Sequence, residues 1–235
     1  MLIGGLQKLT LIDYPGKIAC TVFTVGCNFR CHFCHNPELI DPAKFKLSEI
    51  IEEKTFFDFL GSRSGLLDGV CITGGEPTLY PDLSEFIKKI KALGFLVKLD
   101  TNGTNPEMLK ALLAEKLIDY IAMDIKTAPQ KDLYEKVTSA AVDFENIKKS
   151  IEIIMQSGLE YEFRTTVVPG LHQKEDILKI AGFIKGAKKY YLQQFRAGEK
   201  IFNPEFREIK SYPADFLQEL RKKIKDNFEI CEVRE

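Results

Sequence analysis

The sequence predicts an α/β fold in which six strand–helix units form a partial (β/α)6 barrel of the TIM type, open on one side. Two observations carry this prediction. Apolar, β-branched runs alternate with amphipathic stretches along most of the chain, and several amphipathic stretches end at a glycine. Six units are two fewer than the complete barrel contains. A doubly wound open sheet is the alternative, because one sequence does not determine strand order.

The predicted elements follow one another with no repeat or linker that would divide the chain. We expect strands at residues 18–25, 69–73, 95–100, 120–125, 161–168 and 190–195, and helices at residues 48–60, 83–93, 106–115, 144–156 and 174–184. A last helix begins near Ala214, and a short strand follows near Ile230. The chain is therefore interpreted as one domain, with an N-terminal extension (1–17), a partial barrel core (18–195) and a C-terminal segment (196–235).

Composition narrows the class of protein. The 235 residues are 45% hydrophobic and 29% charged, which is enough to build a buried core, and the formal net charge is −1. Such a balance gives no indication of a nucleic-acid or membrane partner, and no apolar run has the length of a membrane span. Because the N-terminus also lacks the pattern of a signal peptide, we expect a cytoplasmic protein, whose thiols stay reduced.

Three cysteines stand close together in "CNFRCHFC", in the loop after the first predicted strand. Cys27, Cys31 and Cys34 lie at the carboxyl end of that strand, where barrel active sites are built. Three thiolates can each bind one iron of a [4Fe-4S] cluster and leave the fourth iron open. Zinc is the alternative, with His32 or His35 as the fourth ligand. No second CxxC-like pair exists, which favours iron–sulfur.

The other three cysteines are isolated in the sequence. Cys20 and Cys71 fall within predicted strands, and Cys231 lies near the C-terminus. We interpret each as an apolar packing residue, because they offer no clustered ligand set for a second metal centre.

Polar residues follow the next strands in the same way. In "CITGGEPTL", Gly74 and Gly75 would let backbone approach a ligand, and Glu76 supplies a carboxylate suited to an ammonium group. A plain turn followed by a helix start is the structural alternative. The later strands end in Asp100-Thr101-Asn102-Gly103 and Asp124-Ile125-Lys126.

Arg164 lies within the fifth predicted strand. A buried arginine is costly unless it meets an anion, so an inward Arg164 would belong to the same site. An outward, solvated side chain is the alternative that strand alternation leaves open.

The spacing CxxxCxxC, with Phe33 before the third cysteine and GGEP after the next strand, resembles the radical S-adenosylmethionine (SAM) superfamily. More narrowly, "IDYPGKIACTVFTVGCNFRCHFCHNPEL" resembles the opening of the glycyl-radical-enzyme activases. The segments "LDTNG", "MDIK", "RTTVVPG" and "LQQF" resemble that group as well, closest to the anaerobic ribonucleoside-triphosphate reductase activating proteins. The resemblance extends from Ile12 to Phe195.

The resemblance implies a set of cofactor contacts. The three cysteines would ligate a [4Fe-4S] cluster whose open iron chelates SAM, and Gly74, Gly75 and Glu76 would receive the methionine amino group. Lys126 would pair with the cofactor's carboxylate. The further contacts implied around SAM are the backbone of Phe33 and the side chain of Val168 near the adenine. Asn102 and Arg164 are additional cofactor-binding candidates because of their places in the predicted strands.

The resemblance also implies a monovalent cation beside the cofactor. By similarity to pyruvate formate-lyase activating enzyme, Asp100 and Asp124 would share it, with Thr101 and the carbonyl of Ala122 as further ligands. In one respect the chain departs from that relative, since Phe195 stands where the relative has a histidine. The imidazole contact would then be absent, or replaced by Gln194 or Arg196.

The implied activity is radical chemistry. Reductive cleavage of SAM at the cluster would give a 5′-deoxyadenosyl radical, which would abstract hydrogen from a glycine of a partner enzyme, here anaerobic ribonucleoside-triphosphate reductase. A flavodoxin-like or ferredoxin-like protein would supply the electron. Two alternatives stay open: a radical SAM enzyme acting on a small molecule, such as a modified purine or cofactor precursor, and a non-catalytic zinc-binding module.

Overall fold

A computed structural model describes residues 1–234 and confirms the predicted alternation of strands and helices. The strands are β1 Ile3–Thr10, β2 Ala19–Thr24, β3 Gly69–Gly74, β4 Leu96–Thr101, β5 Tyr120–Asp124, β6 Glu160–Val167, β7 Lys189–Gln194 and β8 Ile230–Arg234. The helices are α1 Glu53–Gly61, α2 Leu83–Ala92, α3 Pro106–Ala114, α4 Lys131–Thr138, α5 Phe144–Gln156, α6 Lys174–Phe183 and α7 Ala214–Ile224.

The strands form one eight-stranded sheet whose spatial order is the chain order, β1 to β8. Strand β1 pairs antiparallel with β2, whereas β2 with β3, β3 with β4, β6 with β7 and β7 with β8 pair in parallel. A doubly wound sheet reverses its strand order at a switch point, so the uniform order excludes that alternative. The sheet is open, which confirms the partial barrel of TIM type.

Three differences from the prediction have local causes. The N-terminal extension contains β1, and its Ile3 pairs with Ile51 in an isolated bridge. That pairing holds Ile51 extended, so the predicted helix at 48–60 begins only at Glu53 and is preceded by a single 3-10 turn, Leu47–Glu49. Helix α4 was not predicted, because eight residues with mixed polarity give a weak periodic signal.

Contacts divide the described chain into two compact units. The first comprises Met1–Asn28, Glu38–Thr101 and Asn105–Ile121, and contains β1 to β4 with α1 to α3. Its helices pack through aromatic rings, among them Phe56 and Phe86 with centroids 5.4 Å apart. The interpretation of the chain as a single domain stays a prediction.

The second unit comprises Phe29–Pro37, Asn102–Thr104 and the described chain from Ala122 onward. Its core is built by β6, β7 and β8 with α5 to α7, and includes Phe163, Tyr190 and Leu217, all of them buried. Within residues 1–234, no helix has both the length and the apolar character needed to cross a membrane.

Candidate cofactor site

The Gly-Gly turn after β3 in the first unit is packed against its own backbone. The amide of Gly75 donates to the carbonyl of Thr24 (2.8 Å), and the amide of Glu76 donates to the carbonyl of Gly26 (2.7 Å). A Cβ atom on Gly75 would lie 2.0 Å from the Gly26 carbonyl oxygen, and Gly74 adopts φ +115°. Both positions therefore require glycine, and the close approach they allow is to the chain that leads into the cysteine loop.

Glu76 is 1% exposed, and its carboxylate accepts hydrogen bonds from neighbouring amide and hydroxyl groups. Its Oε1 accepts hydrogen bonds from the Thr78 amide (3.1 Å), the Thr78 hydroxyl (2.6 Å) and the Thr101 hydroxyl (2.7 Å). The contact with Thr78 also caps the 3-10 turn Pro77–Leu79. The structure thus brings together two residues of the predicted site, Glu76 and Thr101, and orients the carboxylate through hydrogen bonds.

Asp100, near the end of β4, lies in a buried polar cluster that the sequence analysis missed. Its carboxylate pairs with the ammonium group of Lys98, which is 1% exposed, and accepts from the Thr73 hydroxyl (3.4 Å). The Cys71 sulfur lies 3.7 Å from both the Asp100 Oδ1 and the Lys98 Nζ atoms. Cys71 is therefore buried, as predicted, but its surroundings are polar rather than apolar. The signal was a lysine two residues before an aspartate in an otherwise apolar strand.

The cysteine loop begins in the first unit and continues in the second. In the first, the Cys27 amide donates to the Ile40 carbonyl (3.0 Å). In the second, the Cys34 amide donates to the Cys31 carbonyl (3.0 Å), which closes a tight turn between these two cysteines.

A later segment of the second unit forms backbone hydrogen bonds with this part of the loop. The amide of Phe202 donates to the Cys34 carbonyl (3.0 Å), and the amide of Asn203 donates to the His32 carbonyl (3.0 Å). Sequence analysis gave the C-terminal segment no role. These backbone bonds carry no residue-type signal, so a sequence pattern could not have revealed them.

The two histidines of the loop have ring partners in other segments of the second unit. The His32 ring nitrogens contact the Asn203 side-chain nitrogen (3.1 Å) and the Ser139 hydroxyl (3.0 Å), and its ring stacks on Phe206. The His35 ring packs against Phe195, with centroids 6.3 Å apart, and burial lowers its pKa.

The Phe195 position, where the resembled activase has histidine, therefore has the His35 imidazole beside it. Of the two replacements predicted, Gln194 donates to the Tyr212 carbonyl (2.7 Å), and Arg196 is exposed. The residue that brings an imidazole to Phe195 comes from the cysteine loop itself.

Asp124, at the end of β5, is held by charge. It pairs with Lys126 Nζ (2.9 Å) and with Arg164 Nε (2.8 Å). Burial alone would raise the pKa of Asp124, but Arg164 and Lys126 outweigh burial and hold that pKa well below its usual range. The predicted residues Asp124, Lys126 and Arg164 are thus brought together, and Arg164 is 14% exposed, which excludes the outward alternative.

A second acid extends this network toward the C-terminal strand. Glu162, 1% exposed, lies 3.8 Å from Arg164 and accepts two hydrogen bonds of 2.8 Å from the guanidinium of Arg234 on β8. That guanidinium lies over the ring of Tyr191, 3.4 Å from its centroid. Sequence reasoning missed Glu162 and Arg234, because nothing local relates two charged residues on separate strands.

His172 is a buried residue that fixes the backbone of the Lys126 loop. Its Nδ1 accepts from the Val168 amide (2.9 Å), so Nε2 carries the proton and donates to the Lys126 carbonyl (2.7 Å). Burial lowers the pKa of His172, which favours this neutral form. Phe33 packs edge-on against the same ring, with centroids 6.4 Å apart. The predicted residues Phe33, Val168 and Lys126 are therefore linked through one imidazole.

Asn102 has a structural partner in the second unit. Its side-chain oxygen accepts from the amide (3.0 Å) and the hydroxyl (2.7 Å) of Thr104, which forms the turn after β4. Ala122 is buried within β5. For these two residues, contact with a cofactor stays a prediction.

Comparison with known proteins identifies the family. The model of the radical SAM superfamily matches residues 21–184. The chain belongs to the radical SAM superfamily. It is 35% identical, over 99% of its length and 95% of the relative's, to a Methanocaldococcus jannaschii protein that carries the provisional name glycyl-radical enzyme activating enzyme MJ1227. It is 30% identical to the pyruvate formate-lyase-activating enzyme of Clostridium pasteurianum, over 97% of its own length and 98% of the relative's.

Solved structures share the radical SAM fold with this chain. Streptococcus suis SuiB superposes with a TM-score of 0.68 at 17% identity, over 90% of this chain. The chain spans about half of SuiB, 48% of its length. At that identity the likeness concerns the fold alone.

As a radical SAM enzyme, the protein uses a [4Fe-4S] cluster and SAM, and the residues present fit both. Three thiols suit iron–sulfur chemistry. Next to Lys126, the buried hydroxyl of Thr127 has no hydrogen-bond partner within residues 1–234. A polar ligand bound there would satisfy it.

Proposed function

We propose that this radical SAM enzyme is an activase that generates a glycyl radical in a partner enzyme. The observation that carries the proposal is the 35% identity to an activating enzyme of that class over 99% of the chain. When bound, the cluster and SAM supply one-electron cleavage to methionine and a 5′-deoxyadenosyl radical. The partner would give up a hydrogen atom from a glycine Cα to that radical, which would leave a glycyl radical on the partner and form 5′-deoxyadenosine.

In the first unit, the chain contributes one thiol ligand and an oriented carboxylate. Cys27 would bind one iron of the cluster. Glu76, held by Thr78 and Thr101, would receive the methionine amino group through a charge-assisted hydrogen bond. The hydrogen bonds around Glu76 support this role, because a carboxylate that is already oriented loses little freedom when it binds.

In the second unit, Cys31 and Cys34 would supply the remaining thiolates. Lys126 would pair with the cofactor's carboxylate, and Asp124, which Arg164 also contacts, would keep the Lys126 ammonium group in place. Phe33 and Val168, joined through His172, would form the apolar side that faces the adenine. None of these roles requires a general base, as expected for hydrogen-atom transfer.

The proposed partner is an anaerobic ribonucleoside-triphosphate reductase, and the proposed electron donor is a flavodoxin-like or ferredoxin-like protein. The partner rests on the segments "LDTNG", "MDIK", "RTTVVPG" and "LQQF". The donor follows from the chemistry, since cleavage of SAM consumes one electron that the chain does not supply.

The deciding experiment is anaerobic. The protein is reconstituted with iron and sulfide, reduced, and mixed with SAM, with and without the candidate reductase. We expect 5′-deoxyadenosine in both samples, and a glycyl-radical doublet by electron paramagnetic resonance only with the reductase. A zinc-loaded protein without a cluster would overturn the proposal.

A small-molecule substrate is the second candidate, because one relative points to it. The chain is 27% identical, over 91% of its length, to a Pyrococcus horikoshii protein provisionally named as a GTP 3′,8-cyclase. It covers 68% of that relative. Cleavage of SAM that rises with GTP, with no doublet on any glycyl radical enzyme tested, would favour this second function.

A further inference from the structure

We infer that the ammonium group of Lys98 takes the place of a metal cation beside Asp100, so that this enzyme needs no bound monovalent cation. The inference rests on the proposed function only in that it concerns the SAM site. It replaces the expectation, drawn from resemblance, that Asp100 and Asp124 ligate such a cation.

The geometry around Lys98 is that of a bound cation. Lys98 and Asp100 lie two residues apart on β4, so their side chains leave the same face of the strand. The ammonium group pairs with the Asp100 carboxylate, lies 3.7 Å from the Cys71 sulfur, and lies 6.0 Å from the centroid of the Tyr120 ring. A carboxylate and an aromatic ring are groups that bind an ammonium ion. A hard metal cation would instead collect oxygen ligands.

The charges in the first unit leave no requirement for a second cation. Lys98 is 1% exposed, and a buried ammonium group is tolerated only with an anionic partner, which Asp100 provides. A metal ion on the same carboxylate would lie beside the Lys98 ammonium group in a region with little water, where like charges repel strongly. Either Lys98 or the metal ion would have to leave.

Asp124, the second carboxylate of the expected cation site, is also paired with protein cations. In the second unit, its partners are Lys126 and Arg164. Two protein cations beside Asp124 disfavour a third cation there and favour an anion such as the cofactor's carboxylate.

The first test uses the protein without cluster or SAM, and therefore does not depend on the proposed function. Thermal unfolding is measured in sodium, potassium and tetramethylammonium chloride at equal ionic strength. A cation that binds only the folded state raises the midpoint of unfolding. We expect the wild type to unfold at the same temperature in all three salts. A higher midpoint in sodium or potassium would overturn the inference.

Substitution of Lys98 should make the midpoint of unfolding depend on the presence of sodium or potassium. In Lys98→Ala, the Asp100 carboxylate stays buried without its ammonium partner, so we expect a low midpoint in tetramethylammonium that sodium or potassium raises. Lys89→Ala is the matched control, because Lys89 pairs with Glu53 at the surface (3.1 Å), and should respond equally to the three salts. If Lys98→Ala does not fold, Lys98→Met is measured in its place. A substituted protein that is indifferent to the salts would contradict the inference.

The second test measures SAM binding to the reconstituted enzyme by equilibrium dialysis in the same salts. We expect wild-type affinity to be the same in all three, and Lys98→Ala to bind about tenfold more weakly in tetramethylammonium than in potassium. Wild-type binding that requires sodium or potassium would refute the replacement. If no SAM binds under any condition, the proposed function fails, whereas the unfolding data still decide the role of Lys98.

Discussion

Glu76 in the first unit and Asp124 in the second are two acidic residues whose carboxylates have different kinds of partner. Glu76 receives hydrogen bonds from one amide and two hydroxyls, on a turn whose glycines pack against backbone. Asp124 is held by ion pairs with Lys126 and Arg164. Hydrogen bonds from uncharged donors orient a carboxylate without adding positive charge, whereas ion pairs with two cations place positive charge beside it. The first arrangement suits a cationic amino group and the second suits a carboxylate.

The largest expected effect lies in the cysteine loop. Cys31→Ala should abolish both the cluster and the cleavage of SAM, because the cluster loses one of only three protein ligands. Iron content, the visible absorption of the cluster and 5′-deoxyadenosine formation are the measurements. Cys20→Ala is the control, since Cys20 is fully buried in β2, and should retain iron. Full cleavage by Cys31→Ala would refute the ligand assignment.

The turn at Gly75 in the first unit should not tolerate a side chain larger than that of glycine. Gly75→Ala places a Cβ 2.0 Å from the Gly26 carbonyl oxygen, so we expect a loss of more than about 2 kcal/mol in the free energy of unfolding. Gly182→Ala is the matched control. Gly182 lies in α6, a Cβ there would meet nothing within 4 Å, and we expect a gain of roughly 0.5–1 kcal/mol. Denaturant unfolding measures both, and equal stability of the two variants would remove the packing argument.

Loss of the Glu76 charge should weaken cofactor binding while the fold is kept. Glu76→Gln retains an oxygen for Thr78 and Thr101, and we expect SAM to bind about 10- to 100-fold more weakly. Iron content should not change. Glu85→Gln, an exposed acid on α2, serves as control. Loss of iron from Glu76→Gln would indicate a role in cluster assembly instead.

The smallest effect should come from the far end of the charge network. Arg234→Gln removes two hydrogen bonds to Glu162, and we expect a rise of about two- to fivefold in KM for SAM with little change in kcat. Arg234→Lys should recover part of the loss. Arg221→Gln separates this role from anchoring of β8, because Arg221 bonds the Cys231 carbonyl (2.6 Å) without contacting Glu162. Equal effects of Arg221→Gln and Arg234→Gln would show that Arg234 acts only by anchoring β8.

Periodicity and short motifs predicted the fold because both are local. The six core strands were placed within one or two residues, and GGEP and the cysteine spacing marked their loops. Asp124, Lys126 and Arg164 were proposed separately, and the structure brings their side chains together. Arg234 was missed because its partner, Glu162, lies far away in the sequence. Lys98 was missed because it is a charged residue within an otherwise apolar strand. Strand β1 was not predicted, because its pairing with β2 and not its own residue pattern defines it.

The contact between His32 and Asn203 has a consequence for the order of synthesis. The two residues are 171 positions apart, so the ribosome makes the cysteines long before it makes the segment that fastens their loop. During that interval the Cys34 and His32 carbonyls lack the amides of Phe202 and Asn203. A nascent chain thus carries its three cysteines in a loop that lacks these backbone hydrogen bonds until residue 203 has been made.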